Sequence, residues 1–134
     1  MEEIIVHVET EVNPTEDEAK VKRAVENVFT NAEFETKPLK RGTLLTAKTN
    51  AIEGLTKLCN LLRRERIRDA ARTVFLRGIS GHTITFCLNK QVAFAGHVSF
   101  SQPTGESPLG PITVEIKCAN PHEIIDWLAP RTAP

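Results

Sequence analysis

RRERIRDAARTVFLRGISGHTITFCLNKQV, running from Arg63 to Val92, is the stretch whose reading decides the fold. From about Arg66, Ile67, Ala71, Val74 and Phe75 recur at helical spacing and mark one apolar face. Gly78 sits where a helix C-cap belongs. His82 to Leu88 then alternates, with Ile84, Phe86 and Leu88 inward and Thr83, Thr85 and Cys87 opposite, the period of a strand. Leu88-Asn89-Lys90-Gln91 ends that strand as a hairpin turn or as its polar terminus. Upstream, Ile52, Leu55, Leu58, Cys59 and Leu62 give a preceding helix. Periodicity leaves Glu65-Arg66 open as a break or a bend between the two.

The flanks supply what this helix and strand pack against. Glu2 to Val12 alternates and reads as a half-buried strand ended by Asn13-Pro14. Thr15 and Glu18 have capping-box spacing, so a helix is expected from there to Thr30-Asn31, with Val21, Val25, Val28 and Phe29 inward. Short strands follow at Glu33–Thr36 and Thr43–Thr49, joined by a turn over Lys37–Gly42. Val92 to Phe100 reads as a further strand with Gly96 a bulge position. Gln102 to Pro111 is a Pro/Gly loop, Ile112 to Lys117 the last strand, and Asn120-Pro121 the start of a final apolar helix stopped by Pro130. At 134 residues the expectation is a single domain, 1–134.

Charge is unevenly distributed although the formal net charge is zero. Residues 1–35 hold ten acids against three bases, a net of −7. Residues 36–90 hold twelve bases against three acids, +9, and residues 91–134 two bases against four acids, −2. Such segregation marks either a surface for a polyanion or segments that pair with each other, within the fold or between subunits. The acidic start MEEIIVHVE goes directly into a strand and lacks the basic and apolar regions of a secretion signal, so a cytoplasmic protein without membrane contact is expected.

Arg64, Arg68 and Arg72 recur every four residues and, on a continuous helix, would form one row. The planar guanidinium fork suits phosphate and never deprotonates, so Arg63, Arg64, Arg68, Arg72, Arg77 and Lys90 are the candidate nucleic-acid contacts. The bland alternative is a solvated helix face neutralised by Glu65 and Asp69. Gly78-Ile79-Ser80-Gly81 has the spacing of a KH-domain loop, but that loop joins two helices and here a strand follows, so a helix cap and turn is the better reading. Cys59, Cys87 and Cys118 are far apart with no C-x-x-C pair, and His7, His82, His97 and His122 have no ligand-spaced partners, so no metal and no cofactor are expected. Ser99 and Ser101 lack nucleophile-elbow glycines, and there is no P-loop or dinucleotide fingerprint. With no Tyr, Trp127 on an apolar helix and the six Phe mostly at core positions, a base-stacking platform is poorly supported.

Five stretches in order, VNPTEDEAKVKRAV, RIRDAARTVFLRG, FCLNKQVAFAG, ESPLGPITVEI and IIDWLAP, span nearly the whole chain. Together they resemble the archaeal family of small conserved proteins whose fold is similar to that of the ribosomal protein that binds 5S rRNA. The departure is His82, where the family usually has a small polar residue such as Asn. The resemblance implies an α/β (α+β) two-layer sandwich, a mixed, mostly antiparallel sheet covered by helices, and a homodimer. It brings no established activity, and RNA binding follows from it only by analogy of fold.

The leading expectation is a non-enzymatic protein that binds structured RNA, ribosomal RNA included, through the arginine-rich helix. A dimeric structural or assembly module with a protein partner is the second reading. An enzyme with a site at Asn89, Lys90, Gln91 and a histidine is the third.

Overall fold

The computed structural model describes residues 4–101 and 110–131. Glu2 and Glu3, and the greater part of the expected Gln102–Pro111 loop, lie outside the described residues. Strand β1 (Ile5–Val12) buries Val6, Val8, Thr10 and Val12 and turns the residues between them outward, as the alternation requires. Helix α1 (Glu18–Val28) follows, with Val21, Ala24, Val25 and Val28 buried at helical spacing. Strands β2 (Glu33–Pro38) and β3 (Thr43–Asn50) form a hairpin. A short 3-10 turn leads into α2 (Thr56–Arg64), and α3 (Arg68–Arg77) comes next.

The remainder is β4 (Ile79–Ser80), β5 (Thr83–Asn89), α4 (Lys90–Phe94), β6 (Phe100–Ser101), β7 (Pro111–Lys117) and α5 (Pro121–Leu128). The strands make one sheet in the order β2-β3-β1-β7-β5-β4, with β6 on β5, and each described pairing is antiparallel. Register carries the inward rows across the sheet: Val8 faces Ala47 and Val114, and Val114 faces Phe86. Val25 and Val28 of α1, Leu58 and Leu62 of α2, Phe75 of α3, Ala93 of α4 and Ile125 of α5 join these rows in one core. The fold is therefore α+β in two layers, helices on one face of the sheet.

Four local expectations are corrected. The N-cap of α1 is Asp17, whose Oδ1 accepts from the Ala19 amide at 2.9 Å, rather than Thr15. Glu16, beside it, is occupied by the backbone and side chain of Asn13. Val92 to Phe100 is not a strand: Asn89 Oδ1 accepts from the Val92 amide at 3.0 Å and starts α4, so strand pairing resumes only at Phe100. The four-residue tetrad is thus neither a hairpin turn nor a frayed end but a strand-to-helix junction. Gly96 follows that helix at φ +87°, a backbone conformation that favours glycine, and is not a bulge.

Other elements stand where expected. Asn120 caps α5 by accepting from the Glu123 amide at 3.3 Å, with Pro121 next to it. Ile124, Ile125 and Leu128 of α5 all lie in the core and Trp127 packs against it, so the apolarity of IIDWLAP is used inside the fold. Gly78 ends α3 and presses on the next strand, its carbonyl accepting from the Thr85 amide at 3.0 Å. A Cβ there would collide with the Thr85 carbonyl oxygen. Gly78→Ala should therefore cost roughly 1–3 kcal/mol. Urea unfolding should show a lower midpoint with an unchanged slope.

Candidate nucleic-acid interface

The arginines of 63–72 do not lie on one helix. Arg66 has φ +58°, and around it the Arg66 amide donates to the Arg63 carbonyl (3.2 Å) and the Ile67 amide to the Leu62 carbonyl (3.1 Å). This pair of bonds is a Schellman closure of α2, with Arg66 in the left-handed position more often taken by glycine. Ile67 then packs against the core and α3 restarts in a new direction. The row Arg64–Arg68–Arg72 is accordingly corrected: Arg64 ends α2, while Arg68 and Arg72 belong to α3.

The break distributes the charges into two groups. Arg63, Arg64 and Arg66 are exposed, and Arg68 is half-buried. Arg63 Nη2 donates to Asn60 Oδ1 at 2.9 Å. Arg63 and Arg68, from opposite sides of the break, both lie close enough to the Cys59 thiol for their charges to act on it. Burial pushes that thiol up and the two guanidinium groups draw it only partly back. Cys59 is therefore a poor nucleophile, its Sγ 3.7 Å from the Trp127 carbonyl. Glu65 at the same corner is turned toward the segment after α4, its Oε2 3.0 Å from His97 Nδ1 and its Oε1 accepting from the Val98 amide at 3.3 Å. Five arginines against Glu65 and Asp69 leave residues 63–72 with a net charge of +3.

Arg72 has a different task. Its Nη2 pairs with Asp126 Oδ1 at 2.8 Å and its Nη1 donates to the Ala129 carbonyl at 3.1 Å, with 17% of the side chain exposed. It fastens α3 to the C-terminal end of α5, where the helix dipole favours a cation. Arg77 ends α3 and is exposed, away from the corner in sequence.

Lys90 is corrected outright as a surface contact. Its side chain is 3% exposed, and Nζ donates to the Glu11 carbonyl (2.6 Å) and to Glu16 Oε1 (3.0 Å). Burial by itself raises the Glu16 carboxyl, but hydrogen bonds from Asn13 and Lys90 outweigh it and hold Glu16 below the ordinary glutamate range. The pair lines a cleft of about 320 Å³ between α1 and α4. Neither Glu16 nor the cleft is legible in the sequence. The polar tetrad around Lys90 was the available signal, since an isolated lysine after an apolar strand needs either water or a buried partner.

The residues of the enzymatic reading are dispersed among other duties. Asn89 caps α4, Lys90 is buried in its pair, and Gln91 is exposed. His97 lies against Glu65, and His82 Nδ1 lies 3.0 Å from the Ala119 carbonyl. Among the described residues no three His, Cys, Asp or Glu side chains are grouped to hold a metal ion, and no helix is long and apolar enough to cross a membrane.

Comparison with known proteins adds the family. A family model described as RNA binding matches residues 5–118. The UPF0201 protein of Pyrobaculum islandicum is 49% identical over 123 residues, covering 91% of this chain and 86% of that protein. The UPF0201 protein of Sulfurisphaera tokodaii is 43% identical over 126 residues, covering 94% and 87%. The crystal structure of the UPF0201 protein from Methanococcus jannaschii superposes with a TM-score of 0.85 at 34% identity, covering 96% of this chain and 95% of that one.

The two arginine groups should separate by stability. Arg72→Ala should cost roughly 1–3 kcal/mol, because it strips a charged donor from the carbonyl of buried Ala129. Arg64→Ala should stay within about 0.5 kcal/mol. Paired thermal melts check this. Glu16, depressed in the folded state, should contribute stability above the usual glutamate range that is lost as pH falls through its folded pKa. Glu16→Gln should lower stability at neutral pH and flatten that acid limb, as read by urea titrations at descending pH.

Proposed function

The chain belongs to the archaeal UPF0201 family, whose matching family model is described as RNA binding, and from that membership we propose that it is a non-enzymatic binder of structured RNA. The contact surface is the corner between α2 and α3, with Arg63, Arg64, Arg66 and Arg68 as phosphate contacts and Arg77 as an outlying one. What supports the reading is the placement of exposed Arg63, Arg64 and Arg66 at the end of α2, with Arg68 opening α3 directly across the break. Guanidinium groups gathered from two directions can bracket a phosphate backbone, whereas a single straight row can only run alongside it. Arg72 and Lys90 support the fold in this reading and touch no RNA. The likeness in sequence to proteins with a 5S rRNA-binding ribosomal fold makes a folded ribosomal hairpin the natural first probe.

Phosphate contacts make binding salt-dependent and indifferent to sequence. Arg63→Ala, Arg64→Ala and Arg68→Ala should each weaken binding to hairpins of unrelated sequence about equally. Each should also lower the slope of log affinity against log salt by about one unit or less. Fluorescence anisotropy over a salt series measures both. A folded triple alanine variant that binds like the parent would sink the assignment.

A further inference from the structure

The cleft between α1 and α4 is separate from the arginine corner, and its walls have a particular chemistry. Val21 and Ala24 of α1 give it an apolar floor. Phe94 stands over one side with its residue 40% exposed, while Phe29, Phe34, Phe75, Phe86 and Phe100 are buried or packed against the cores. An exposed ring is costly in contact with water, and here it sits on a helix of five residues. At the start of α4, Asn89 caps the helix and Lys90 is held by Glu11 and Glu16. At its end, Asn27 Nδ2 donates to the Ala93 and Phe94 carbonyls at 3.0 and 3.2 Å. Phe94 is thus carried on a helix clamped at both ends.

The rim is polar. Gln91, exposed, offers one amide acceptor and two donors, and Lys20 brings an exposed ammonium on the other wall. The Lys90–Glu16 pair behind them is satisfied internally and asks for no counter-charge from a ligand. An open cleft with an apolar floor, an aromatic side, an amide edge and, at the mouth, the Lys20 ammonium alongside the Asp17 carboxylate matches one unstacked nucleobase whose phosphate lies on the lysine side. The volume, about 320 Å³, is at the low end for ligand clefts and fits one base better than a length of strand. The cleft is also tied to the arginine corner, since His97 and Val98, three and four residues beyond Phe94, are the partners of Glu65.

We propose that this cleft receives a single extruded base of the bound RNA, stacked on Phe94 and met at its edge by Gln91, with Lys20 on the adjoining phosphate. The inference rests on the RNA reading above and deepens it: the arginines supply affinity for the backbone, and the cleft selects RNA that carries an unpaired nucleotide.

The test uses two hairpins that differ only in one bulged nucleotide, a 2-aminopurine, present in one and absent from the other. The parent should bind the bulged hairpin on the order of ten-fold tighter, and 2-aminopurine emission should change on binding. Phe94→Ala should lose the preference and the emission change while keeping its affinity for the fully paired hairpin. Phe94→Trp should retain both, and Arg64→Ala should weaken the two hairpins equally. Because Phe94 is exposed, the variants should melt like the parent, which circular dichroism checks. A parent that binds both hairpins equally, or a folded Phe94→Ala that keeps the preference, overturns the cleft assignment and leaves the arginine corner standing. A parent that binds neither hairpin overturns both.

Discussion

A lysine ammonium cannot stay charged in a protein interior without partners, and Lys90 is the point where this constraint organises the fold. Taking such an ion out of water costs several kcal/mol, so its partners must be in place whenever the chain is folded. Here they come from the end of β1, through the Glu11 carbonyl, and from the approach to α1, through Glu16. Lys90 itself is the first residue after β5. One ammonium therefore ties the start of α4 to the connection between β1 and α1, 74 to 79 residues earlier in the chain. It also explains why the chain turns from strand to helix at this position. A strand continuing past Asn89 would carry Lys90 along the sheet, whereas the helical turn brings it under α1.

The second constraint acts at Arg66. An arginine in a left-handed conformation is disfavoured by roughly 1–2 kcal/mol relative to ordinary helical geometry. It persists because the two closing hydrogen bonds and the burial of Ile67 against the core outweigh that cost. The consequence is a change in where the arginines lie. A helix running straight from Thr56 to Arg77 would set Arg64, Arg68 and Arg72 along one line; the break instead leaves Arg64 at the end of α2, with Arg68 opening α3 and Arg72 reaching α5.

Much of the layer architecture was legible because burial on one side imposes a period. Val6, Val8 and Val12, and likewise Ile84, Phe86 and Leu88, could face inward only as strands, and Val21, Val25 and Val28 only as a helix. Asn120-Pro121 was legible as a cap because both residues favour the same position. The failures are equally physical. Five residues of α4 are too few for a helical period to appear, so V-A-F-A read as strand. Thr15 and Glu18 had the spacing of a capping box, but Asp17 caps α1 and Glu16 is held by Asn13 and Lys90. The break at Arg66 carried no glycine to announce it. The chemical type of the candidate site was visible in the arginines; their partners were not, since Arg72 is held by a carbonyl 57 residues away.

The outer face of the sheet gives the molecule an electrostatic side. Residues that alternate with the core rows place Glu33 opposite Lys48, Lys48 opposite His7, and His7 opposite Glu115. Lys117 Nζ lies 3.8 Å from Glu115 Oε1. Opposite charges set directly across strands are mutually compensating at this spacing, and Glu9 and Glu35 on the next row tip the face toward acid. Of the acids of residues 1–35, Glu9, Glu11, Glu33 and Glu35 lie on these strands, while Glu16, Asp17, Glu18 and Glu26 lie in or next to α1. The arginine surplus of residues 63–72 lies in the helical layer. In the proposed reading a polyanion is drawn to the arginine corner by this local surplus. The zero net charge of the chain conceals this, because orientation depends on where the charges sit and not on their sum.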